Sequence, residues 1–149
     1  MVNLSQTERS RGTAKEYMKY LHERRMEDIL HLFAPGALFT VVSNEERAPA
    51  TGGTKPATKV IPAAKAFVDE FDKWEIVVQR VVAEDDVAFV EASVKGRGPG
   101  QKAYTNNYLL RFIVGEDGKI KDFKESMDGY EVEAAAASLQ AYYKEHGKI

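Results

Sequence analysis

A chain of 149 residues with 44% hydrophobic and 30% charged side chains is the size of one ordinary domain, which excludes disorder, fibrous repeats and coiled coils as whole-chain descriptions. The absence of cysteine excludes disulfides, thiol nucleophiles and thiolate metal sites, and a net charge of −2 leaves no basic footprint for nucleic acid. No apolar run approaches the ~18 residues of a membrane span and the first residues lack a signal-peptide core, so a cytoplasmic protein making no membrane contact is expected.

Ala14, Tyr17, Met18 and Leu21 recur at three and four residues, predicting an amphipathic helix over 7–22 capped by Thr7 or Ser5. A short second helix carries Met26, Ile29, Leu30, Leu32 and Phe33, and Pro35-Gly36 is expected to stop it. Residues 37–43 read as a short strand. The stretch 44–58, with two prolines and Gly52-Gly53, reads as a long loop over one end of the domain. Helical spacing returns over 59–71 through Ala63, Ala66, Phe67 and Phe71, with Pro62 placed near the first turn.

After Asp72 the period changes to two. Strands are expected over 74–83, 87–95, 104–114 and 119–127, joined by Glu84-Asp85-Asp86, by Gly96-Arg97-Gly98-Pro99-Gly100 and by Gly115-Glu116-Asp117-Gly118. Four strands with short turns make an antiparallel meander, and 130–144 reads as a closing helix. The expected architecture is a single α+β domain over 1–149, with helices laid on the concave face of a curved, mainly antiparallel sheet that encloses a pocket.

Alternation sorts the candidate chemistry by face. Phe123, Glu125 and Met127 share one side of the last strand, so Glu125 is an acid among apolar neighbours. Such a carboxyl group is costly to ionise and can exchange a proton near neutral pH; the plain alternative is a glutamate paired with a buried hydroxyl or amide. Tyr104, Asn106, Tyr108, Leu110 and Phe112 share a face, putting Asn106 and Tyr108 beside the pocket as donors, or as packing groups with satisfied polar ends. Tyr17 lies on the apolar stripe of the first helix and invites the same two readings. Glu91 shares its face with Phe89 and Ser93, opposite Ala88, Val90, Ala92 and Val94, and on apolarity alone points to solvent. His22, His31 and His146 show no metal-ligand spacing, so no metal site is expected. The glycine-rich 96–100 segment lacks the lysine and following helix of a phosphate loop.

Tyr104-Thr105-Asn106-Asn107-Tyr108, then Gly118-Lys119-Ile120, then Lys124-Glu125-Ser126-Met127-Asp128 resembles the pattern of SnoaL-like proteins in the nuclear transport factor 2-like superfamily. The passages Asp28 to Ala34 and Val82 to Ala88 are similar to that group as well, and the resemblance spans about Thr13 to Tyr130. It implies a cone-shaped α+β barrel, a homodimer, and a pocket inside the cone. Members include ketosteroid isomerases, polyketide cyclases, scytalone dehydratase and limonene-epoxide hydrolases, beside many non-enzymes.

Carried over by position, Tyr17 falls on the oxyanion-hole tyrosine of a ketosteroid isomerase and Tyr108 near its second donor. Val41 falls on that enzyme's general base, which it cannot replace. Glu91 and Glu125 match the two carboxylates of the epoxide hydrolase triad, with Phe89 where its arginine belongs; that comparison turns Glu91 toward the pocket. The resulting expectation is a cofactor-free acid–base enzyme acting on a small polyketide- or terpenoid-like molecule. Glu125, Glu91, Tyr17 and Tyr108 would be its catalytic residues, and Asn106, Trp74, Phe89, Phe112 and Met127 would contact the substrate. The alternative is a non-catalytic binding or dimerisation module of the same fold.

Overall fold

Residues 2–44, 46–100 and 103–148 are described by the computed structural model. Helix α1 (Leu4–His22) starts one turn earlier than the hydrophobic spacing suggested, because the Asn3 side chain accepts from the Gln6 N–H at 3.1 Å and caps it. Thr7, expected as a cap, is instead a buried tie: its hydroxyl donates to the Asn3 carbonyl and accepts from the Asp85 N–H. Helix α2 (Met26–His31) ends before Phe33, which already opens β1 (Phe33–Val42). Pro35-Gly36 therefore does not stop the helix. It sits where the pairing of β1 slips between Phe33 and Leu38, and Gly36 takes the left-handed conformation (φ 75°) that this irregularity requires.

The stretch expected to be loop contributes a short edge strand, β2 (Gly53–Pro56), paired antiparallel with β1. Helix α3 (Ala57–Val68) follows directly, with Pro62 in its second turn rather than its first. The meander is as expected: β3 (Lys73–Glu84), β4 (Val87–Arg97), β5 (Tyr104–Val114) and β6 (Ile120–Ser126), then α4 (Gly129–Glu145) capped by the Asp128 side chain.

The six strands form one sheet in the order β2-β1-β6-β5-β4-β3, antiparallel throughout except for the parallel pair β1–β6. The sheet is curved and open, with β2 and β3 as its edges, and the whole is a cone-shaped α+β fold. Helix α1 crosses the concave side against β3, β4 and β5; α3 leans on α2 and β1, and α4 on β5.

Two aromatic clusters organise the interior. At the narrow end the Tyr17 ring stacks on Phe123 and meets Phe112 edge-on, both at 5.1 Å between centroids, with Phe33 and Phe39 alongside. Phe67, Phe71, Trp74 and Tyr104 form the second cluster, and the Trp74 indole N–H donates to the Leu21 carbonyl at 3.1 Å. Between the clusters the helices do not reach the sheet, and a cavity remains. No helix among the described residues is long and apolar enough to cross a membrane.

Candidate functional site

Because side chains alternate along β6, Phe123, Glu125 and Met127 all face the concave side. The register fixes what surrounds the carboxyl: Glu125 stands opposite Val41 of β1 on one flank and Leu110 of β5 on the other. Glu125 thus lies in an apolar row, lining a cavity of about 360 Å³, near the lower end of the range for small-molecule sites. Its side chain has no hydrogen-bond or ion-pair partner among the described residues. Burial pushes its pKa up from 4.5 to about 7. Half of such a group carries its proton at neutral pH, which suits it to taking one up or giving one away.

Three phenols share the space with it: Tyr17 from α1, and Tyr104 and Tyr108 from β5. Tyr108 is two residues from Leu110 on the same face, so it lies on the diagonal from Glu125, where side chains of aromatic size still meet. Burial raises the Tyr17 and Tyr108 phenols well above their usual range, with the Glu125 charge adding to both. Tyr104 is pushed up by burial to about 12. All three stay protonated across physiological pH and act as hydrogen-bond donors.

Asn106 ties one of these phenols to the start of α4. Its carbonyl oxygen accepts from the backbone N–H groups of Asn107 and Asp128, both at 3.0 Å, which assigns its amide nitrogen as the donor. That nitrogen donates to the Asp128 carbonyl at 2.9 Å and to the Tyr104 hydroxyl at 3.0 Å. Tyr104 lies in turn 3.2 Å from the Tyr108 hydroxyl. Either phenol can donate in that contact, so the two hydroxyls share one hydrogen bond at the edge of the cavity.

Of the nine residues expected at the site, Glu125, Tyr17, Tyr108, Trp74 and Met127 line this one cavity. The other four do not. Glu91 is exposed on the convex face, paired with Arg80 and Leu109, as apolarity suggested and against the positional carry-over. Phe89 is on that same outer face, 53% exposed, for the same reason of strand alternation. Phe112 faces inward but is fully buried beneath Tyr17 and Phe123, so it is the floor of the core rather than a wall of the cavity. Asn106 is buried outside the cavity lining, and its amide is fully engaged in bracing the start of α4.

Several lining residues were not singled out in advance: Tyr104, Lys55, Lys59, Thr51 and Glu133. Tyr104 was legible, since it shares the alternating face of Tyr108. The others come from the irregular segment, from α3 and from α4, where no periodicity indicates which side faces the hollow. Glu133 accepts from the Ala50 N–H at 2.9 Å and the Thr51 hydroxyl at 3.2 Å, tying α4 to the loop that borders the cavity.

A cone of helices on a curved sheet is the architecture of the nuclear transport factor 2-like proteins. Within it the chain belongs to the SnoaL-like domain family, whose pattern matches residues 14–123. A search of curated protein sequences gives no match. Among solved structures the fold is similar to BvnE pinacolase from Penicillium brevicompactum, with a TM-score of 0.72 at 10% identity over 93% of this chain and 99% of that one. PrhC from Penicillium brasilianum gives 0.71 at 14% identity, covering 96% and 95%. A Mycobacterium tuberculosis LEH-like epoxide hydrolase gives 0.65 at 10% identity, covering 91% and 96%. Identities this low establish shared fold.

Proposed function

We propose that the protein is a cofactor-free acid–base enzyme that moves a proton on a small, mostly apolar molecule of polyketide or terpenoid type. The observation that carries this reading is the Glu125 carboxyl group: it has no hydrogen-bond or ion-pair partner among the described residues, its pKa is raised by burial to about 7, and it shares one cavity with three protonated phenols. In the ionised form it takes a proton from a carbon made acidic by a neighbouring carbonyl. The electron pair left behind moves to the carbonyl oxygen, where Tyr108 and Tyr17 donate hydrogen bonds to the growing charge. Protonated Glu125 then returns the proton to another carbon, completing an isomerisation, or to a departing oxygen, completing a dehydration; cyclisation and epoxide opening use the same acid–base pair. The similarity in fold to a pinacolase and an epoxide hydrolase supports chemistry of this kind.

Exchange of the α-protons of 2-tetralone in D2O, followed by NMR, tests the reading without knowledge of the natural substrate. Glu125→Gln is expected to slow that exchange by about 10²-fold or more. Exchange at the same rate in the variant overturns the assignment. It would favour the second reading, a binding module, for which the apolar Val41 opposite Glu125 is the supporting observation.

The assembly that accompanies this reading is a homodimer built on the convex sheet face. Val82, Phe89 and Leu109, between 53% and 61% exposed, run as an apolar diagonal across β3, β4 and β5.

A further inference from the structure

Two lysines border the cavity. Lys55 and Lys59 both line it, one from the edge strand β2 and the other from the first turns of α3. Sheet register turns Lys55 inward: it pairs with Phe39, which pairs with Phe123, and these directly opposed residues share the concave face. Lys59 lies one helical turn before Ala63, another lining residue, so its stem follows the same stripe of α3.

Neither ammonium has an anionic partner among the described residues. The ion pairs among the described residues join Arg11 to Glu8, Arg25 to Glu23 and Asp28, Lys65 to Asp69, and Arg111 to Asp122. Glu133, a second carboxylate in the lining, accepts from the Ala50 N–H and the Thr51 hydroxyl through one oxygen and forms no ion pair with either lysine. Two lysines therefore border a cavity whose walls, apart from the Glu125 and Glu133 carboxyl groups and the phenols, are mostly apolar and aromatic. An exposed ammonium needs no protein partner while water solvates it, but a ligand filling the mouth displaces that water, and an anionic group is what replaces it at least cost.

The spacing suits a ligand with two ends. Two strand separations of about 4.8 Å and two residues of about 3.3 Å put the Lys55 and Glu125 Cα atoms about 12 Å apart along the sheet. We propose that the cavity takes an amphiphilic organic anion, with a carboxylate or similar acidic group held by Lys55 and Lys59 and an apolar ring system lodged against Trp74, Phe67 and Met127. Resting on the acid–base reading above, this puts the reacting carbon at the end of the ligand remote from its charge, beside Glu125.

The test is a binding measurement with two probes differing only in charge: 2-naphthoate and its neutral amide, 2-naphthamide. Titration calorimetry at pH 6.0, where Glu125 keeps its proton and naphthoate is ionised, is expected to show naphthoate binding about fivefold to tenfold more tightly. Lys55→Gln/Lys59→Gln is expected to erase that preference and leave naphthamide affinity within about twofold, while Lys55→Arg/Lys59→Arg retains it. Raising the salt concentration is expected to lower only the naphthoate affinity. Equal binding of the two probes, binding of neither, or a preference that survives the glutamine variant overturns the proposal. The tetralone exchange rate scores the catalytic reading separately: selective naphthoate binding with exchange unaltered in Glu125→Gln keeps the anion site and removes the chemistry.

Discussion

The Tyr104 and Tyr108 hydroxyls lie 3.2 Å apart, four residues from each other along β5 and on the same face, and Asn106 between them donates to the first of the pair. Strand alternation brings i, i+2 and i+4 to one side, so a five-residue segment builds a hydrogen-bonded row of Tyr104, Asn106 and Tyr108 beside the cavity. Tyr108→Phe removes the phenol diagonal to Glu125 and is expected to lower turnover by about 10- to 100-fold while leaving the fold intact. Tyr104→Phe removes the hydroxyl 3.2 Å from that phenol, farther from Glu125 along β5, and its effect should be smaller. Rate measurements on the two variants check the order.

Asn106 has a structural cost attached as well. Asn106→Leu strands the backbone N–H of Asp128 and the amide partners of the strand end, so it is expected to destabilise the protein by about 1–3 kcal/mol. Urea denaturation gives the value. An unchanged midpoint would mean that the start of α4 is held by something other than this amide.

Glu125 links activity to stability. Its pKa is raised in the folded protein, so between about 4.5 and 7 the folded state binds more protons than the unfolded one. Stability contributed by the protonated form is present below that window and is lost as pH rises through it. At about 1.4 kcal/mol per unit, the loss above pH 7 reaches about 3 kcal/mol. Glu125→Gln cannot ionise and is expected to be more stable than the parent by up to that amount at pH 8, with no such gain at pH 4.5. The catalytic arm runs the opposite way: if the carboxylate is the base, activity rises with pH to a plateau above about 7. Denaturant midpoints at the two pH values and a pH–rate profile test both signs.

Glu133 holds the loop at the cavity rim through the Ala50 N–H and the Thr51 hydroxyl. Glu133→Ala frees that segment without touching the cavity's acid or phenols. The expected results are faster proteolytic nicking within 46–52 and faster release of bound naphthamide in stopped-flow experiments, by about 2- to 10-fold for a lost charge-assisted bond pair. Equal release rates would show that the rim does not gate exchange.

On the convex face, Phe89→Asp/Leu109→Asp puts charges into the exposed apolar diagonal. Light scattering is expected to show a dimer for the parent and a monomer for the variant. A parent that is monomeric at the same concentration would leave this face unpartnered.

The meander from β3 to β6 and the inward direction of Glu125 follow from local pattern alone. A period of two decides which side chains share a face, and the row Phe123, Glu125, Met127 needs only one strand to define it. Tyr17 was equally legible, as an apolar-stripe residue with a polar handle. Alternation also placed Glu91 on the outer face, and the positional carry-over from a distant relative misdirected it, because similarity of fold does not fix which residues a particular chain turns inward.

Tertiary structure decided what two or more elements must settle together. Strand β2 exists because β1 offers it an edge to pair with; nothing within Gly53–Pro56 specifies it. The brace formed by Asn106 depends on the backbone of Asp128, 22 residues away, which no periodicity encodes. Phe112 shares its face with Tyr108, yet lies beneath the hollow because Tyr17 and Phe123 close over it. The lysines at the mouth became a pair only when β2 and α3 met. Sequence periodicity fixes direction relative to one backbone; where the helices stop short of the sheet, and so where a cavity is left, depends on the packing of all of them.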